Sequence, residues 1–194
     1  MKFSVTARSG AARCGTLRTT HGEIATPAFM PVATYGAVRG ASAEDLRRLG
    51  AQILLSNTYH LHERPGEARV AALGGLHGFS GWEGPWLTDS GGFQITSLAE
   101  QVRVDDEGVV FRSTLDGARR TLTPERVVAI QEALGSDIAM VLDHFLPIVG
   151  PDGSVPREDA VRVAMERTLR WAERARAARP RGDQALFGIV QGGA

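Results

Sequence analysis

Three segments of this sequence end an apolar run on a hydrogen-bonding side chain. Leu87-Thr88-Asp89-Ser90-Gly91-Gly92-Phe93-Gln94 places a carboxylate at the tip of a buried strand, and two glycines then open a helix. Glycines there leave backbone N–H groups uncovered at a helix start, so a flat ligand can come close. Phe93, one helical turn beyond Asp89, can lay an aromatic face over whatever Asp89 touches. Ser136-Asp137-Ile138-Ala139-Met140-Val141-Leu142-Asp143 repeats the layout with a second carboxylate. Leu186-Phe187-Gly188-Ile189-Val190-Gln191-Gly192-Gly193 repeats it with an amide and two glycines. Taken alone, Asp-Ser-Gly-Gly is equally an Asx-turn in an ordinary loop. Three strand ends of this kind form the expected mouth of an α/β barrel, and their chemistry suits a planar, polar ligand such as a purine.

The elements that would position these residues follow from pattern. Phe3–Ala7 and Thr16–Thr20 bracket a turn at Ser9-Gly10 and predict an antiparallel hairpin. Thr26–Val32 reads as a first inner strand, and Ser42 with Asp45 as a capping box for a helix to Leu49, closed by Gly50. Gln52–Ser56 is a second strand, with Asn57-Thr58-Tyr59-His60 at its end, and Leu87–Asp89 is the third. Residues Gln101–Arg112 alternate and turn at Asp106-Glu107-Gly108, predicting an inserted hairpin. Thr123-Pro124-Glu125 starts a helix that Gly135 ends. Ile138–Leu142 is the fourth strand, Arg157 to about Ala178 a long helix, and Leu186–Val190 the fifth strand. Strand and helix alternate, and the strands are apolar on both faces, which predicts a parallel α/β sheet. Five strand units are too few to close an eight-stranded barrel. The expectation is a partial (β/α)8 TIM barrel, with residues 1–194 as the N-terminal part of one longer domain.

Composition narrows the partners. The chain has 194 residues, is 43% hydrophobic and carries no net formal charge, so it has core enough for one domain and no global attraction to polyanions. Cys14 is the single cysteine, which excludes an internal disulfide and a cysteine-based metal cluster. No secretory segment or long apolar span is present, so a cytoplasmic protein with no membrane partner is expected. The eight arginines and four acids of residues 157–181 read as a solvated helix face. Trp82 and Trp86 are expected to pack under the Asp89 strand, Trp171 in the core of the long helix, and His62 toward solvent.

The ordered blocks Asn57-Thr58-Tyr59-His60-Leu61 with Arg64-Pro65-Gly66, Thr88–Gln94, Ser136-Asp137-Ile138 with Asp143, and Gly188-Ile189-Val190-Gln191-Gly192 closely resemble the tRNA-guanine transglycosylase family. That resemblance implies a modified TIM barrel and a pentosyl transfer in queuosine modification. Guanine in tRNA, usually at the wobble position, is exchanged for a 7-deazaguanine (7-aminomethyl-7-deazaguanine or queuine). It implies a covalent intermediate on an aspartate nucleophile, in the manner of a retaining glycosidase. By the same resemblance Asp89 is the acid/base, and Asp143 accepts from the Watson–Crick N–H groups of the base. Ser90, Gln191, Gly92 and Gly192 line the base, Phe93 stacks on it, and Asn57 and His60 hold Asp89 and its loop. The family's nucleophile and its Cys/His zinc ligands are expected outside this chain, so the isolated chain should not incorporate guanine, and the longer protein is expected to be a homodimer. Asp143-His144-Phe145 departs from the Asp-Glu-Cys common in bacterial members, which leaves the identity of the inserted base open. Two alternatives remain: a non-catalytic tRNA-binding partner subunit, and a metal-dependent amidohydrolase-like barrel using His60, His62, Asp143 and His144.

Overall fold

A computed structural model of the protein describes residues 1–98, 100–147, 149–150, 153–178 and 182–190. Its centre is a parallel sheet of β4 (Leu54–Ser56), β5 (Trp86–Thr88), β9 (Ile138–Met140) and β10 (Ala185–Phe187), standing side by side in chain order. Leu54 pairs with Trp86, Leu87 with Ile138, and Ile138 with Ala185. Both faces are covered, which is why these strands read as apolar runs rather than alternations. Ile53, Leu87, Ile138 and Ala185 meet Ile24 on one face, while Leu54, Trp86 and Leu142 join the helices on the other.

The expected first inner strand, Thr26–Val32, shrinks to one parallel bridge between Val32 and Leu55, held by Leu55 N–H to Pro31 O (3.1 Å) and Ala33 N–H to Leu55 O (2.7 Å). Pro27 and Pro31 have no amide hydrogen to give, so a longer ladder cannot form. The described parallel sheet therefore has four strands and a bridge, not five strands. Both expected hairpins gain a third strand. β1 (Lys2–Ser9) and β2 (Ala12–Thr19) are joined by β3 (Gly22–Thr26), and β6 (Glu100–Val104) and β7 (Val109–Arg112) by β8 (Arg119–Leu122). Ile24 of β3 supplies the apolar side chain that meets the parallel sheet.

Helix boundaries follow their caps. α1 (Ala43–Arg48) begins at the Ser42–Asp45 capping box. α2 (Thr58–Glu63) begins at Asn57, whose Oδ1 accepts from His60 N–H. Two further short helices, α3 (Glu67–Ala72) and α4 (Gly75–Ser80), occupy a stretch where the sequence pattern predicts no element. Six residues are too few to show a period. α5 (Gly92–Leu98) follows β5, and α6 (Pro124–Leu134) runs from the Thr123 cap to Gly135 as its sequence predicts. In α7 (Glu158–Ala178) the buried residues Ala164, Thr168, Trp171 and Ala175 recur at helical spacing. Trp171 is fully buried and donates from Nε1 to Asp106 O (2.9 Å), pinning the β6–β7 turn. Trp86 lies within β5 and Trp82 is buried in the same core.

Candidate active site

Asp89 and Asp143 stand at the carboxyl edge of the parallel sheet, beyond the neighbouring strands β5 and β9. Asp89 is held on three sides. Its Oδ1 accepts from Thr58 N–H (3.0 Å) and Gly91 N–H (3.1 Å), and its Oδ2 from Asn57 Nδ2 (2.5 Å). One amide thus does two tasks, because Asn57 caps α2 through Oδ1 and fixes the carboxylate through Nδ2. Burial disfavours the ionised form of Asp89, the two amide hydrogen bonds oppose it, and the Asp143 charge adds to it. The carboxyl is raised to about 6, within reach of proton transfer near neutral pH.

Asp143 is 8% exposed and linked to the Asp89 loop through one hydroxyl. Ser90 Oγ donates to Asp143 Oδ1 (3.0 Å) and accepts from Gly92 N–H (3.3 Å). Glycine is required at 92 by space: a Cβ would lie 3.0 Å from both the backbone oxygen and Oδ1 of Asp143. At Gly91 the backbone is left-handed (φ +81°) and a Cβ would press on Tyr59. Phe93 is half exposed and meets Phe145 edge to face at 5.0 Å, which joins the Asp89 and Asp143 segments by a second contact.

His60 takes part through its backbone, which the Asn57 side chain caps. Its ring faces Tyr35, whose hydroxyl lies 3.2 Å from Nδ1, and burial lowers its pKa. His144 is fixed from α7. Its N–H donates to Thr168 Oγ1 (2.9 Å), and Arg167 donates to its Nδ1 (3.0 Å). Burial and then Arg167 lower the His144 pKa, and because a guanidinium only donates, Nδ1 is the acceptor in that contact. The sequence pattern gives no sign of Thr168, Arg167 or Tyr35 in this role. They act across 23 to 25 residues, and no local spacing marks such contacts. Gln191 and Gly192 lie outside the described residues.

His62 does not face solvent as expected; its Nδ1 lies 2.7 Å from Glu67 Oε2, and both side chains are 14% exposed. Glu67 also pairs with Arg126. Burial raises its pKa, but His62 and Arg126 more than reverse this and bring it to about 2. Among the described residues His60, His62, Asp143 and His144 do not converge on a metal position. His21, His77 and Asp137 do, at the opposite edge of the sheet.

Residues 8–194 match the protein family described as queuine tRNA-ribosyltransferase. The chain is 56% identical to the queuine tRNA-ribosyltransferase of Thermus thermophilus over 99% of its own length and 48% of the relative's. It is 57% identical to that of Desulforudis audaxviator over 93% of this chain and 47% of the relative, and 48% identical to that of Deinococcus radiodurans over 99% and 47%. The chain spans about half the length of the curated relatives it matches.

Proposed function

The chain belongs to the queuine tRNA-ribosyltransferase family, and on that premise we propose that residues 1–194 form the N-terminal part of one transglycosylase barrel domain. Its reaction is the exchange of guanine in tRNA, at the wobble position, for a 7-deazaguanine. The observation that carries this reading is the pairing of Asp89 and Asp143 through Ser90 at one sheet edge, with the Asp89 carboxyl raised to about 6. The consecutive parallel order of β4, β5, β9 and β10 supports the barrel.

The roles follow from chemistry. Asp143, oriented by the Ser90 hydroxyl at Oδ1, offers its carboxylate to the N–H edge of guanine. Asp89 gives a proton to departing guanine and takes one from the incoming base, which asks for a pKa near that of its surroundings. Phe93 and Phe145 cover the base face, and the resemblance assigns base contacts to Gln191 and Gly192. His144, held by Thr168 and Arg167 beside Phe145, shapes the part of the site that reads the 7-substituent. The covalent step needs another carboxylate as nucleophile. It is assigned to the half of the relatives' length that this chain does not span.

The family's zinc calls for a Cys/His ligand set. Cys14 is exposed on β2, and among the described residues no cluster of metal ligands includes it, so these residues do not fit that site and no step is drawn through the metal. The partners are tRNA, guanine and the deazaguanine, with a second copy in a homodimer, acting in the cytoplasm. No helix among the described residues is long and apolar enough to cross a membrane. A non-catalytic tRNA-binding subunit would have no use for a carboxyl held by three donors and raised toward neutrality.

Radiolabelled guanine and tRNA test the reading in a polypeptide of the relatives' length that contains this chain. Label enters the tRNA in the wild type. Asp89→Asn lowers kcat by about a hundredfold or more, and Asp143→Asn acts mainly on the KM for the base. No exchange in the wild type, or full exchange with both substitutions, contradicts it.

A further inference from the structure

At the amino edge of the parallel sheet, opposite Asp89 and Asp143, four chain segments converge on one carboxylate. Asp137, 4% exposed, precedes β9; its Oδ2 accepts from Trp86 N–H (2.9 Å) at the start of β5. Its Oδ1 accepts from Thr20 Oγ1 (3.1 Å) and faces His21 Nδ1 (2.8 Å), both in the β2–β3 turn. His77, from α4, brings Nε2 to 3.5 Å from Oδ2. The two imidazoles stack at 3.6 Å between centroids, 22° from parallel.

Hydrogen bonding leaves this cluster incomplete. His77 Nε2 is buried and has no hydrogen-bond partner, since 3.5 Å is too long for a directed bond to Asp137. An orphaned ring nitrogen, a second imidazole and a carboxylate bring their ligand atoms within 4.8 Å of one another. Zinc bonds of about 2.0–2.2 Å set tetrahedral ligands roughly 3.3 Å apart, so the stacked rings turn apart to place both nitrogens on one ion. His21, 38% exposed at its side chain, leaves a route for water to fill remaining positions. Two nitrogens and one oxygen favour a borderline metal over magnesium or calcium.

We propose that His21, His77 and Asp137 bind one divalent transition-metal ion of the zinc class, which fastens the β2–β3 turn to the amino edge of the parallel sheet. The site is separate from the catalytic carboxylates and from the Cys/His zinc site of the family.

The test uses a polypeptide of the relatives' length that contains this chain, without a histidine tag. It is titrated with zinc chloride by calorimetry and with cobalt(II) by visible absorption, beside a His77→Gln variant, which keeps a polar side chain but lacks the imidazole ligand and so marks ions bound elsewhere. The expected result is one ion per chain more than in that variant, with micromolar or tighter affinity, and a melting temperature raised by zinc. His21→Ala and His77→Ala each weaken binding of that ion by more than about tenfold, while His62→Ala and Cys14→Ser leave it unchanged. Far-UV circular dichroism of His77→Gln like that of the wild type, with the additional ion lost, supports the site. No additional ion in the wild type, or wild-type affinity in His77→Gln, overturns it.

Discussion

The raised carboxyl that the proposed role of Asp89 requires comes at a cost to folding. Its pKa in the folded protein is about 6, above the ordinary 3.8, because burial and the Asp143 charge outweigh the amides of Thr58 and Gly91. A raised carboxyl binds protons more tightly folded than unfolded, so stability falls as pH rises between those two values. The loss is at most about 3 kcal/mol and levels off above the folded pKa. Asp89→Asn removes the charged form; denaturant unfolding should lose that slope, and the variant should gain on the wild type at about pH 8. In the longer enzyme, with Asp89 as the acid that protonates departing guanine, kcat/KM for tRNA should fall as pH rises through an apparent pKa of about 6. Gly92 is constrained by contact rather than charge. The Cβ of Gly92→Ala would press on Asp143 at 3.0 Å and displace its carboxylate. The KM for guanine should rise about tenfold or more while circular dichroism stays unchanged.

Between the strands, polar side chains fix the positions of both carboxylates. Gln131 of α6 is fully buried; its Oε1 accepts from Thr88 Oγ1 (2.9 Å) and Met140 N–H (2.9 Å), and its Nε2 donates to Met140 O (2.9 Å). Gln184 joins the same network through Ser136 O (2.9 Å). Gln131→Leu strands those groups, and urea unfolding should show a loss of about 3 kcal/mol. A loss under about 0.5 kcal/mol would show that the network does not hold the strands. Strands β5 and β9 were legible because burial on both faces makes them continuous apolar runs, ended by Asp89 and Asp143. The α6 boundaries were legible because Thr123, Pro124 and Gly135 are local signals. β3, β8, α3 and α4 were not, since four to six residues carry too little pattern and tertiary contact decides their form. The strand expected at Thr26–Val32 failed for a visible reason, the two prolines. Gln131 illustrates a further limit: its partners lie 9 and 43 residues away, and a lone glutamine inside a helix gives no sign of them.

Across the whole molecule, the two edges of the parallel sheet have different chemistry, the Asp89 and Asp143 carboxylates at one and an imidazole–carboxylate cluster at the other. The long helix α7 ties the inserted sheet to the active-site side. Arg167 and Arg170 both reach Asp106 (2.9 Å each), and Arg174 grips both oxygens of Glu125 (2.7 and 2.8 Å). Arg174 is the main reason that the Glu125 carboxyl falls to about 2. These arginines bind other parts of the chain, which the charge count alone could not distinguish from a solvated face. The helix also carries Thr168 to the backbone of His144, one residue from Asp143, so a distant element helps to set the position of that carboxylate. The most direct test of that arrangement is a crystal structure, with guanine bound, of a polypeptide of the relatives' length containing this chain. The Watson–Crick edge of guanine should be hydrogen-bonded to Asp143, with the Asp89 carboxyl beside the same base and Phe93 across its face. Guanine bound elsewhere, or Asp89 and Asp143 directed into separate cavities, would contradict it.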